Sequence, residues 1–197
     1  MISRSASEDG PADGELIARV VKGDGVAFGL IVERYQDRLA NAVCRLVGST
    51  EDARDVLQDT FVKAYENLDG FRGGSSLYTW LFRIAVNTSL SHRRKRKWMP
   101  VAAGTDAEEG GTAKEWADPS APDPADPLEA AETGALVQEA LSALDDEHRT
   151  VVVLRDIQHC DYQEISEILE IPTGTVKSRL HRARLMLREK LRPLFRA

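Results

Sequence analysis

The chain has 197 residues, 42% hydrophobic and 29% charged, with a formal net charge of −6; this composition supports one or two packed cores and excludes a disordered chain. Cys44 and Cys160 are too few and too far apart for a disulfide framework or a zinc site. No apolar run approaches the roughly 18–20 residues of a bilayer span, and MISRSASEDG lacks the basic and apolar regions of a leader, so a reducing cytoplasm without membrane insertion is the expected setting.

Apolar residues recur three and four apart over long windows, and no segment alternates, so the expected fold is all-α. A short helix is predicted over Glu15 to Lys22, followed by Gly23 and an Asp24 N-cap. Phe28, Ile31, Val32, Tyr35, Leu39, Val43 and Leu46 then form one stripe, stopped by Gly48. Ser49 with Asp52 resembles a capping pair, and Ala53, Val56, Leu57, Phe61, Ala64, Tyr65 and Leu68 form the next stripe. Asp69, Gly70, Gly73 and Gly74 open a loop before a helix from about Ser76 to Arg94.

Residues 100–127 carry paired glycines, four prolines between Pro119 and Pro127 and almost no periodicity, which is the composition of a flexible linker. Charge separates it too. Residues 1–99 hold 15 basic and 13 acidic side chains, residues 100–135 hold 1 and 9, and residues 136–197 hold 10 and 10. Fields are screened over about 8 Å, so an acidic chain can still bind nucleic acid through local basic patches. The segments are read as one domain over 12–98, an acidic Pro/Gly-rich linker over 99–127 and a second domain over 128–197.

In the second domain, Asp126 and Pro127 suit the N-cap and first position of a helix running to about Leu144. Asp145 is expected to cap another through Ile157, and Asp161 with Glu164 makes a capping box for Tyr162 to about Leu169. A turn over Glu170 to Gly174 leads to a final helix of about 18 residues.

The strongest local signal is YQEISEILEIPTGTVKSRLHRARLML, residues 162–187: a short helix, a tight turn and a longer basic helix, the pattern whose second helix enters a DNA major groove. Val176, Leu180, Ala183 and Leu187 should pack inward, leaving Lys177, Ser178, Arg179, His181, Arg182 and Arg184 outside. From Lys177 to Ala197 there are eight Lys or Arg against the single acid Glu189. The second signal is FRGGSSLYTWLFRIAVNTSLSHRRKRKW, residues 71–98, which joins a glycine loop and the aromatics Phe71, Tyr78, Trp80 and Phe82 to five consecutive cations, Arg93 to Lys97. Aromatic faces beside cations suit unpaired nucleic acid. Composition alone favours the plainer reading, core aromatics and a solvated helix end.

FRGGSSLYTWLFRIAVN resembles region 2 of the sigma-70 family in its small extracytoplasmic-function branch, the envelope-stress sigma-like group, and DARDVLQDTFVKAYENL resembles that region's polymerase-binding helix. IPTGTVKSRLHRAR is similar to the family's region 4 helix-turn-helix. The resemblance implies two small helical domains and a non-enzymatic subunit that directs promoter-specific transcription initiation in a stress or envelope response, without cofactor, catalytic residues or metal. Core RNA polymerase would be bound through the clamp of its largest subunit and the flap, with Asp55, Gln58, Asp59 and Lys63 facing the clamp. Arg72, Ser75, Ser76, Tyr78, Thr79, Trp80 and Asn87 would contact the melted minus-ten strand, with Arg93, Arg94, Lys95 and Arg96 on its backbone. Lys177, Ser178, Arg179, His181 and Arg182 would read the minus-thirty-five duplex. An anti-sigma protein is a further implied partner. The linker is implied to thread toward the RNA exit path, either as a polyanion mimic or as a plain tether.

Glu170 stands where the family often has glycine, so about 1 kcal/mol of strain is expected there if the backbone is left-handed. His159 and Cys160 have no metal partner set and read as loop residues. Two rival classes are weighed. A stand-alone helix-turn-helix repressor or activator would bind pseudo-palindromes as a dimer. An enzyme would need a catalytic constellation, and His92, His148, His159 and His181 join none.

Overall fold

Residues 11–98 and 127–192 are described by a computed structural model, and among them every regular element is helical. The acidic linker and Asp126 lie outside the described residues.

The first unit comprises α1 (Asp13–Val21), α2 (Gly25–Val47), α3 (Thr50–Asn67), a 3₁₀ turn (Leu68–Gly70) and α4 (Leu77–Trp98). Short polar residues start α2, α3 and α4 by giving their free amides an acceptor. Asp24 Oδ1 accepts from the amides of Val26 and Ala27 at 3.0 and 3.2 Å. The Arg19 guanidinium bonded to Asp24 and these amides hold its carboxyl below the usual carboxylate range. Gly48 ends α2 in the left-handed region at φ 84°, and Ser49 caps α3 by accepting from the Asp52 amide. Ile31, Leu39, Val43, Val56, Leu57, Leu81, Phe82 and Val86 from α2, α3 and α4 meet in one core, with Leu16 and Val20 of α1 laid across it. Buried Thr60 and Ser89 return their hydroxyls to the Val56 and Ala85 carbonyls, so neither is left unsatisfied.

Two features differ from expectation. Helix α4 continues to Trp98, beyond the expected end at about Arg94, so the whole basic run is helical. Tyr65, assigned to the inward stripe, is 49% exposed. Its ring meets Phe28 edge-on at 5.0 Å, at the margin of the core where the last turns of α3 pass the start of α2.

The second unit comprises α5 (Pro127–Ser142), α6 (Asp146–Val152), a π-helical turn (Val153–Ile157), α7 (Tyr162–Leu169) and α8 (Thr173–Leu191). Asp145 caps α6 by accepting from the His148 amide at 2.9 Å, and the Asp161–Glu164 capping box is formed on both sides. Val151, Val152, Val153 and Leu154 are all buried because this strip is enclosed by α8 on one side and the first unit on the other. The helix predicted through Ile157 is present, with its last turn widened: the Gln158 amide donates to the Val153 carbonyl, and Arg155 to the Cys160 carbonyl.

Glu170 is left-handed at φ 54°, as the turn of a helix-turn-helix requires. Its carboxylate pairs with Arg83 at 2.9 Å but is 71% exposed, and such pairs contribute about 0.2–1 kcal/mol. Relief of the left-handed strain is worth roughly 1 kcal/mol. Glycine also costs about 0.4–1 kcal/mol by freeing the unfolded chain, so Glu170→Gly is expected to leave the unfolding free energy within about 0.5 kcal/mol of its starting value, read as a nearly unchanged urea midpoint.

Candidate nucleic-acid interface

Helix α4 sorts its aromatic residues onto different sides, since positions two apart lie nearly opposite on a helix. Trp80 faces a cleft of about 320 Å³ between α3 and α4, lined by Lys63, Asn67, Trp80, Ile84, Asn87, Thr88 and Ser91. This volume lies at the small end of ligand-pocket sizes. The indole is braced edge-on by Phe71, centroids 5.5 Å apart. Lys63 Nζ donates to Thr88 Oγ1 at 3.2 Å, which brings a cation to the cleft's rim, and exposed Asn87 adds an amide with two donors and an acceptor. One aromatic wall, two carboxamides and one cation can stack an unpaired base, bond its edge and neutralise its phosphate.

Tyr78 points the other way. The Arg38 guanidinium lies 3.9 Å above its ring, Phe82 is tilted against it at 4.5 Å, and its hydroxyl is 3.8 Å from Cys160 Sγ in the second unit. Burial pushes the Tyr78 phenol far above its usual range and the Cys160 thiol up to about 11.

The loop before α4 divides similarly. Ser76 caps the helix: its Oγ accepts from the Thr79 amide at 3.0 Å and pairs with Thr79 Oγ1 at 2.8 Å, and Thr79 is buried. Gly73 is left-handed at φ 71°, with Arg72 exposed beside it, while the Ser75 hydroxyl donates to the neighbouring Ser76 carbonyl. In the basic run Arg93 donates to the Leu46 carbonyl at 2.7 Å and pairs with Asp146 at 3.0 Å, and Arg96 pairs with Asp52. Arg94 reaches Ser91, and Lys95 is exposed.

On α3, Asp55, Gln58, Asp59 and Lys63 are exposed, opposite buried Ala53, Val56, Leu57, Thr60 and Ala64. Half-exposed Val62 and Tyr65 continue this outer face along α3, an apolar border that stripe counting misses.

Helix α8 buries Val176, Leu180 and Ala183 and exposes Lys177, Ser178, His181 and Arg182. Arg179 is drawn to Glu147 at 2.7 Å, Ser178 Oγ bonds the Thr175 carbonyl, and Lys177 Nζ lies 5.5 Å from the Tyr162 ring centroid. Arg184 bonds Asp156 with two nitrogens, and that carboxylate raises its pKa further. Asp156 thus takes one cation from the predicted outer face, while Lys177 and Arg182 share an exposed side with Ser178 and His181.

Trp80 and Asn87 therefore come together at the cleft with Lys63. Tyr78 and Arg93 sit against the second unit, and Ser76 and Thr79 hold the helix start. Asn67, Ile84, Thr88 and Ser91 are cleft residues that sequence reasoning missed; positions 63 and 67 on α3 and 80, 84, 87, 88 and 91 on α4 have the three-and-four spacing of a shared face, which was the available signal.

Residues 31–99 match the family model Sigma-70 region 2, and residues 135–187 match Sigma-70, region 4. Proteins called ECF RNA polymerase sigma-E factor from Salmonella typhimurium and from Escherichia coli (strain K12) are each 40% identical over 190 residues, covering 93% of this chain and 96% of theirs. The protein of that name from Haemophilus influenzae is 37% identical, covering 92% and 96%. Among solved structures, CnrH in complex with the cytosolic domain of CnrY aligns with a TM-score of 0.66 at 28% identity, covering 93% of this chain and 99% of that one. The sigma factor RpoE in complex with the anti-sigma factor NepR from Bartonella quintana aligns at 0.61 and 26% identity, covering 84% and 96%.

Proposed function

This chain belongs to the sigma-70 family, in its extracytoplasmic-function (ECF) branch, and on that footing we propose that it binds core RNA polymerase and directs it to particular promoters. The observation that carries the reading is the pairing, in family order along one chain, of a region 2 unit holding an aromatic cleft with a region 4 unit holding a cationic recognition helix. The proposed division is region 2 over 12–98, the acidic linker over 99–127 and region 4 over 128–197.

Three surfaces have three roles. Asp55, Gln58 and Asp59 on α3 meet the polymerase clamp, with Val62 and Tyr65 adding apolar area to that contact. The cleft of Trp80, Asn87 and Lys63 takes one unstacked base of the minus-ten strand, while Arg72, Ser75, Arg94 and Lys95 guide its backbone. Lys177, Ser178, His181 and Arg182, joined by Arg179 once it leaves Glu147, enter the upstream major groove. Ser76 and Thr79 act by fixing the start of α4. Catalysis stays with the polymerase. CnrH and RpoE were each solved with a second protein, an anti-sigma factor in the RpoE case, and a comparable partner is proposed here, released in a stress or envelope response.

Separable surfaces give separable losses. Arg182→Ala should lower the slope of log affinity against log salt for promoter duplex by about one and leave core binding intact. Asp55→Ala with Gln58→Ala should weaken core binding and leave duplex affinity unchanged. The pair of measurements is fluorescence anisotropy on labelled duplex and co-elution with core polymerase. Equal loss of both functions in both variants would refute the division of labour.

A further inference from the structure

Helix α4 ends on a second tryptophan. Trp98 is 88% exposed, the highest value among the large apolar side chains of the described residues, whereas tryptophan is highly buried on average. Trp80 and Trp98 belong to one continuous helix and stand 18 residues apart, which is about five full turns. The two indoles therefore start from one face, about 27 Å apart along the axis at roughly 1.5 Å per residue. Asn87, Ser91, Arg94 and Lys95 fall between them on that face at three-and-four spacing.

Charge is sorted in the same way. Arg93 turns to the Leu46 carbonyl and Asp146, and Arg96 pairs with Asp52, so protein holds these two cations on other sides of α4. Arg94 and Lys95 are exposed one turn before Trp98, and Arg94 reaches back along the face to the Ser91 hydroxyl at 3.4 Å. From Trp80 to Trp98 the face thus runs aromatic, amide, hydroxyl, cation, aromatic. A lone exposed apolar residue is ordinary on a surface, but this one is in register with a base-sized cleft and has two cations a turn away. Cations hold any nucleic-acid backbone, whereas an indole face adds stacking on a base, which is open to it where the base is unpaired. A strand stacked at about 3.4 Å per nucleotide covers the distance between the indoles in about eight nucleotides, within the range that single-strand-binding tracks occupy.

We propose that Trp98 is a second base-stacking station, and that the face of α4 from Trp80 to Trp98 is one track for unpaired promoter DNA, with Arg94 and Lys95 on the phosphates between. The cleft holds one base and the far indole another, so the spacing of the two sets the length of single strand the chain retains. The proposal deepens the sigma-factor reading and takes from it only the source of the strand.

Fluorescence anisotropy of the full chain with labelled thymidine oligonucleotides of about 4 and about 12 nucleotides, shorter and longer than the track, tests this. The longer strand should bind more tightly. Trp98→Ala should weaken the longer strand about five- to hundredfold, the range of one base–aromatic stack, and leave the shorter strand, which the cleft alone can hold, nearly unchanged. Trp98→Phe should restore most of the loss, which a change in charge or helix length would not do. Trp98 lies exposed at a helix end, so an unchanged circular dichroism spectrum is expected for each variant. With Trp80→Phe and Trp116→Phe, Trp98 is the remaining indole of three, and its emission should be that of a water-exposed ring, quenched by the longer strand. Equal affinity of Trp98→Ala and the parent chain for the longer strand, or emission already that of a buried ring in the free chain, overturns the station. A loss confined to duplex DNA or to core polymerase binding makes the indole a backbone or protein contact and overturns it too. Failure to bind core polymerase with the single-strand responses intact overturns the sigma-factor reading instead and leaves the track standing.

Discussion

Trp80→Ala combined with Asn87→Ala is expected to abolish most promoter opening while leaving core polymerase binding unchanged. The indole forms the aromatic wall of the α3–α4 cleft and Asn87 its amide edge. Loss of base stacking costs about 1–3 kcal/mol, and loss of a bidentate base-edge contact costs a similar amount, about 1–3 kcal/mol. Together they predict a deficit of about 2–6 kcal/mol, or roughly 30-fold and upward in the open-complex equilibrium. Permanganate reactivity of melted thymines measures it. Asn87→Ala alone, which leaves the Phe71–Trp80 packing in place, should produce about half the free-energy loss. A double variant that opens promoters normally would remove the cleft from the mechanism.

Arg149→Met is expected to be the most destabilising single substitution in region 4. The side chain is 1% exposed and each of its three guanidinium nitrogens donates to a carbonyl: Leu141 at 2.7 Å, Ser142 at 2.7 Å, Leu144 at 2.8 Å and Leu46 at 3.0 Å. Leu141 and Ser142 end α5, Leu144 lies two residues beyond it and Leu46 lies near the end of α2, so the cation sits where two helices concentrate partial negative charge. Removing it leaves buried carbonyls without donors, at about 1–3 kcal/mol each before relaxation. A net loss of about 3–5 kcal/mol is expected, comparable to breaking a buried ionic contact. Equilibrium urea denaturation reads the loss as a lower midpoint. Arg149→Lys keeps the charge but not the planar fork, so it should recover only part of the stability.

Much of this molecule is legible along the sequence because its helix ends are written in single residues. Asp24, Ser49, Asp145 and Asp161 each cap the helix that follows, and Gly48 stops α2, as their chemistry requires. The recognition helix was equally accessible, since Val176, Leu180 and Ala183 fall on one buried side by spacing alone. What spacing does not contain is which unit covers which. Arg149 reads as one more surface cation until its position, three and four before Val152 and Val153, is seen to place it on the buried face of α6. Cys160 and Gln158 read as a loop because the chain that buries them is contributed by Tyr78 and Asn41, far away in sequence. Tyr65 was misplaced for the opposite reason: helical periodicity assigns a face, but the core ends before that face does.

The candidate site shows the same division. The resemblance to the sigma-70 family located the strip from Arg72 to Asn87, while the structure separates residues that can meet a base, Trp80 and Asn87, from those that hold the scaffold, Ser76 and Thr79. That separation depends on hydrogen bonds between side chains and backbone, which no one-dimensional pattern records.

Run-off transcription with sigma-free core polymerase on a promoter library, with and without the full chain, puts the whole account at risk in one assay. Discrete transcripts that start downstream of a shared two-element sequence, and only when the chain is added, are the predicted result. Core polymerase that yields the same transcripts in its presence and absence, with the chain verified as folded, would contradict it.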